Sequence, residues 1–138
     1  MPDTSCDIAI VGAGVLGLCV AAELTARGRD VRVIDPGGPN ASSVAAGMIA
    51  PAFESLLDGA DTARAALLRD AAALWPAFAR RIGVALDTTP AEWRGPDGAT
   101  VAARLEALGF PVERVGHRVR TPGDGRINPA ATLAGLST

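Results

Sequence analysis

A chain of 138 residues, 49% hydrophobic and 20% charged, is long enough for one modest domain with a real core. Thirteen basic against fifteen acidic residues leave a net charge of −2 with no basic block, which excludes an electrostatic footprint for nucleic acid or anionic lipid. Every basic residue is arginine and tyrosine is absent, so Schiff-base lysine chemistry, a lysine-bearing phosphate loop and a phenolic proton donor are excluded.

The stretch Ile8 to Ala22 is apolar throughout, yet Asp3 and Asp7 precede it and three glycines interrupt it. It is too short to span a bilayer and carries the wrong flank for a signal peptide. A cytoplasmic protein without a transmembrane segment is expected. Asp7 to Val11 reads as a strand buried on both faces. Gly14 to about Arg27 reads as a helix stopped by Gly28, and Val31 to Ile34 as a second strand ended by Asp35-Pro36-Gly37-Gly38. Strand, helix and strand within thirty residues predict a parallel βαβ unit.

Pro39 to Pro51 is a loop of small residues, suited to close backbone approach rather than to a core. From Asp61 to Ile82, Leu67, Leu68, Ala71, Leu74, Trp75, Phe78 and Ile82 recur at helical spacing. That stripe is expected to be core, with Pro76 kinking the helix or splitting it in two. A strand is predicted over Val84–Asp87, a turn-rich segment over Thr88–Gly98 and a helix over Ala99–Leu108. Phe110–Val115 reads as a strand, Arg118–Arg126 as irregular, and Asn128-Pro129 as the start of a last helix to about Leu136. Cys6 and Cys19 read as buried free thiols and His117 as an exposed loop residue. No residue reads as a convincing acid, base, nucleophile or metal ligand.

Chemistry concentrates at Gly12-Ala13-Gly14-Val15-Leu16-Gly17, the G-x-G-x-x-G spacing. Gly12 permits a tight turn out of the strand, Gly14 lets a pyrophosphate approach the helix N-terminus, and Gly17 lets helix and strand pack closely. Asp35 follows Gly17 by 18 residues and closes the next strand, where a carboxylate can accept both hydroxyls of an adenosine ribose. It would repel a 2′-phosphate, which disfavours NADP. The first 35 residues leave FAD and NAD both open.

The run Ala41-Ser42-Ser43-Val44-Ala45-Ala46-Gly47-Met48-Ile49-Ala50-Pro51 resembles the second flavin-contacting motif of the D-amino-acid oxidase family of FAD enzymes, most closely its glycine oxidase branch. The likeness continues through Phe53-Glu54, Leu74-Trp75-Pro76 and Asp124-Gly125-Arg126-Ile127-Asn128-Pro129, a run resembling the one before the helix that leads back into the flavin domain. The resemblance implies FAD as cofactor. Gly12, Gly14, Val15, Leu16 and Gly17 would hold its pyrophosphate and Asp35 its ribose. Ser42 and Ser43 would bond phosphate or ribitol oxygens, and Ala45, Ala46, Gly47 and Met48 would line the isoalloxazine.

The expected fold class is therefore α/β: a Rossmann-like FAD-binding βαβ unit over residues 1–53, then the first part of a substrate-type region over 54–138. Relative to the family the chain is incomplete, lacking the substrate-holding arginine and tyrosines of the later segments. The expected function is the N-terminal part of an FAD-dependent oxidoreductase acting on small amines or amino acids, inactive without the missing sequence. A complementing C-terminal half or a second copy is the expected partner. A non-catalytic dinucleotide-binding remnant and an NAD-binding domain are the alternatives.

Overall fold

The computed structural model describes residues 5–137, which divide into two compact units. One holds the residues up to Ala46 together with those from Pro129 onward, and the other is Gly47–Asn128.

In the first unit, the apolar runs Ile8–Val11 (β1) and Val31–Ile34 (β2) pair in parallel, Ile8 opposite Val31 and Val11 opposite Ile34. The helix between them, Val15–Ala26 (α1), buries Leu18 and Ala21. The strands alternate, with Ile8, Ile10, Val31 and Val33 half-buried and Ala9, Val11, Arg32 and Ile34 exposed. The expectation of a strand buried on both faces is thus corrected. Only one face of this two-stranded sheet is covered, and Val11 on the other is 84% exposed. A short 3₁₀ turn, Ala41–Val44, and the last helix, Pro129–Leu136, complete the unit. That helix packs on α1 and on the 3₁₀ turn, so the segment after Asn128 does lead back to the βαβ unit.

The second unit holds two antiparallel three-stranded sheets and three helices. Met48–Ile49 (β3), Gly125–Ile127 (β8) and Leu86–Asp87 (β4) form one sheet with β8 central. Ala91–Arg94 (β5), Arg118–Thr121 (β7) and Glu113–Val115 (β6) form the other with β7 central. The helices are Pro51–Leu57 (α2), Thr62–Arg81 (α3) and Gly98–Ala107 (α4). Phe53, Ala65, Val101, Leu105, Phe110 and Val119 lie in their common core, and the Trp93 ring stacks on Phe53 with centroids 6.2 Å apart.

Three expectations for this region are corrected. The segment around Trp93 and the stretch after Arg118 are strands, not turn-rich or irregular chain. Ala91 and Trp93 face in while Glu92 meets Arg120 across the ladder, its carboxylate 2.8 Å from the guanidinium. Charged residues on the solvent side mask the alternation of such short strands. Of the two outcomes expected at Pro76, the split is not found, since the helix runs over Thr62–Arg81. Asp61 caps it, accepting from the Arg64 amide at 2.8 Å, and buried Ala65 and Ala79 anchor it on both sides of the proline. Those alanines, not the larger side chains, are its buried contacts. Leu67 is 66% and Leu74 70% exposed and Ala71 is exposed too, so the expected core stripe is covered only in part, with Leu68, Trp75, Phe78 and Ile82 half-buried.

Both tryptophans lie in the second unit, so their fluorescence follows its unfolding. Leu105→Ala, which empties a fully buried site, should destabilise by about 2–5 kcal/mol in urea titrations. Leu74→Ala should change stability by less than about 0.5 kcal/mol, as expected of a surface position. A larger loss for Leu74→Ala would contradict the burial described here.

Candidate functional site

The β1 strand ends at Val11, and the chain turns at Gly12 with φ of +102°, a conformation hostile to any residue with a Cβ. The Gly12 amide donates to the Ile34 carbonyl at 2.9 Å, adding a rung beyond the paired strands. Gly14 is the N-cap of α1 and has no side chain to cap with. The capping oxygen arrives from far along the chain, because Ser42 Oγ accepts from the Val15 amide at 3.0 Å. A Cβ built on Gly14 would lie 3.3 Å from that hydroxyl. At Gly17 a Cβ would lie 2.1 Å from the Gly12 carbonyl oxygen and 3.3 Å from Ile10, so only glycine lets the helix rise this close to the strand. Among the described residues the Leu16 and Gly17 amides meet no acceptor, as the first turn of a helix requires. With the helix dipole they form a site for an anion.

Asp35 stands at the end of β2, beside this turn. Its Oδ2 accepts from the Ala13 amide at 2.6 Å and its Oδ1 from the Gly37 amide at 2.7 Å. Those two amides, Ala13 first, hold its carboxyl below the ordinary carboxylate value. A carboxylate offers about four acceptor positions, and two are filled here. One therefore stays open on each oxygen, the number a pair of vicinal hydroxyls would use.

The structure thus brings Gly12, Gly14, Val15, Leu16, Gly17, Asp35 and Ser42 to one end of the parallel strands. Leu16 contributes its amide only, since its side chain is exposed. The Ser43 hydroxyl is engaged within its own loop, donating to the Asn40 carbonyl at 2.7 Å while the Asn40 side chain accepts from the Ser43 amide at 3.0 Å. Ala45 and Ala46 are exposed in the first unit. Gly47 and Met48 belong to the second, where the Gly47 carbonyl accepts from the Ile127 amide at 2.8 Å and Met48 lies opposite Arg126. His117 is exposed in the turn between β6 and β7. Cys6 and Cys19 are half-buried and in no disulfide, less enclosed than expected.

Sequence reasoning assigned no role to Asp124. This buried carboxylate accepts from the Ala52 amide at 2.9 Å, the Phe53 amide at 3.2 Å and the Thr121 hydroxyl at 2.9 Å. Burial pushes its carboxyl up, while the three hydrogen bonds hold it down. Nothing in the spacing of the chain links position 124 to position 52.

The sequence profile of the family described as FAD dependent oxidoreductase matches residues 7–138. Over 55 residues, 39% of this chain and 8% of the relative, the sequence is 49% identical to the bifunctional protein ThiO/ThiG of a Nostoc species. The protein of the same name from Trichormus variabilis is 47% identical over an equal span. Glycine oxidase from Geobacillus kaustophilus superposes with a TM-score of 0.77 at 26% identity, covering 96% of this chain and 43% of that one. L-proline dehydrogenase from P. horikoshii gives the same TM-score at 18% identity, over 96% and 41% of the two chains, and shares the fold. The chain thus spans less than half the length of these solved structures.

The Gly17 contact generates a direct expectation. Gly17→Ala should cost at least the roughly 1–3 kcal/mol of an overpacked core and loosen α1 from the strands. Amide hydrogen exchange in β1 and β2 reports it. Parent-like protection of those strands in the variant would contradict the assigned close approach.

Proposed function

This chain belongs to the family of FAD-dependent oxidoreductases, and on that premise we propose that it forms the dinucleotide-binding part of a flavoenzyme oxidising small amines or amino acids. The observation that carries the reading is the end of the βαβ unit, where free first-turn amides, a bare Gly14 and the Asp35 carboxylate lie together. These groups fit a pyrophosphate joined to an adenosine. The Leu16 and Gly17 amides would donate to phosphate oxygens, and Asp35 would accept from the two ribose hydroxyls. Its negative charge selects against a 2′-phosphate. Ser42, already at the α1 N-terminus, would share the Val15 amide with a phosphate oxygen or yield it.

FAD, when bound, supplies the acceptor for the electrons taken from the substrate. The chain's own part is to bind and orient. Following the family resemblance, we assign Ala45, Ala46, Gly47 and Met48 to the isoalloxazine and Ser43 to a neighbouring oxygen. Small side chains at 45–47 leave the backbone itself as the contacting surface. No residue is assigned as acid or base. A glycine-type substrate is favoured by the structural likeness to glycine oxidase.

The uncovered apolar residues Val11 and Ile34 of the sheet, and Leu67 and Leu74 of α3, suit faces covered by further polypeptide. We take the cover to be a complementing segment of the same enzyme or a second copy. We place the protein in the cytoplasm, a reading supported by two cysteines outside any disulfide. Among the described residues no helix is long and apolar enough to cross a membrane.

Gly14→Val should abolish binding of FAD, because its methyl groups occupy the approach to the helix N-terminus. Asp35→Ala removes up to two charge-assisted hydrogen bonds to the ribose, and affinity should fall at least about fivefold. Titration of the purified chain with FAD, followed by flavin fluorescence, checks both. Parent-like affinity in Gly14→Val would refute the assigned phosphate site.

A further inference from the structure

The segment from Gly47 to Phe53 follows the small-residue loop directly, and little in its own sequence holds it in place. Gly47 has no side chain, Ala50 and Ala52 have short ones, and Pro51 lacks an amide hydrogen. Ala50 is the N-cap of α2 and makes no side-chain cap. What fixes this backbone comes from the run Asp124–Ile127. The Ile127 amide donates to the Gly47 carbonyl, Arg126 and Gly125 pair with Met48 and Ile49, and Asp124 accepts from the Ala52 and Phe53 amides. The grip is continuous along both segments, and the carboxylate is its buried end.

Burying a carboxylate is costly unless its oxygens are well satisfied, and here the partners are neutral donors. The expensive arrangement gains a tie between two segments 72 residues apart. Gly125 is part of it, since a Cβ there would lie 2.6 Å from the Asp87 carbonyl and push β8 off its neighbour.

We propose that Asp124 is a positioning residue that sets the backbone of Gly47–Met48 for the flavin ring, acting through β3 and the start of α2. The proposal rests on the assignment of that run to the isoalloxazine made above. Within the second unit Asp124 acts on the Gly47–Met48 backbone, and ADP, a probe without the flavin ring, should not depend on it.

The test compares FAD with ADP as probes of the full chain carrying Asp124→Ala or Asp124→Asn. With all three hydrogen bonds to the buried carboxylate lost, Asp124→Ala should weaken FAD at least about tenfold and blur the fine structure of the bound flavin absorbance band. ADP affinity should change by less than about twofold, a difference under half a kcal/mol. Asp124→Asn keeps one acceptor oxygen and should recover part of the FAD affinity. Ala52 and Phe53 amides should exchange faster in Asp124→Ala while Leu105 stays protected; if that variant does not fold, Asp124→Asn carries the same comparison. Equal losses for FAD and ADP would reduce Asp124 to general stability and overturn the proposal. So would parent-like FAD affinity in both variants, with the dinucleotide reading intact. A parent chain that binds ADP as tightly as FAD, or binds neither, would remove the flavin assignment and this proposal with it.

Discussion

The βαβ unit depends on one contact that has room for no side chain. Where α1 leaves the strand, the Gly17 backbone lies so near the Gly12 carbonyl that a Cβ would sit 2.1 Å from its oxygen. This approach lets the helix begin immediately beyond the strand end. Its first-turn amides then open beside Asp35, which closes the neighbouring strand. Gly12 makes the reversal with a positive φ, and Gly14 puts no side chain of its own in front of the helix, where the Ser42 hydroxyl meets the Val15 amide. The anion site and the hydroxyl-accepting carboxylate are thus consequences of packing as much as of chemistry. Moving the helix outward by the width of one methyl group would dissolve both.

The second unit adds tertiary polar contacts to its apolar core. Asp124 supplies the cap that α2 cannot make for itself, and Glu92 gathers Arg94, Arg118 and Arg120 on one face of the β5–β7–β6 sheet. Asp87 is held down to about 2, chiefly by hydrogen bonds from Thr89 and also by Arg126. With a depressed value, its contribution is complete above the ordinary carboxylate value near 3.8 and is lost as pH falls through about 2.

How much of this was legible in the sequence follows from the range of the forces. The βαβ unit was readable because glycine spacing, strand runs and Asp35 all act within 35 residues. The helix over Thr62–Arg81 was readable from its period, and the face it buries only in part, since Leu68, Trp75, Phe78 and Ile82 are half-buried. Periodicity finds an amphipathic helix, yet Ala65 and Ala79 are the buried side chains while Leu67 and Leu74 stay exposed. Strands β5, β7 and β8 escaped because each is three or four residues long and carries arginine on its outer side. Ser42 was assigned to phosphate or ribitol oxygens through resemblance, and its bond to the Val15 amide spans 27 positions. Asp124 reaches 72 positions and left no local mark.

The central claim is that the first-turn amides of α1 and the Asp35 carboxylate together receive an adenine dinucleotide. Amide-resolved NMR of the chain titrated with ADP addresses it directly. The Ala13, Leu16 and Gly17 signals should move with a common saturating dependence on ADP, while those of Leu105 and Val119 in the other unit's core should stay fixed. Saturable binding that leaves the Leu16 and Gly17 amides unmoved, or no binding at all, would contradict it.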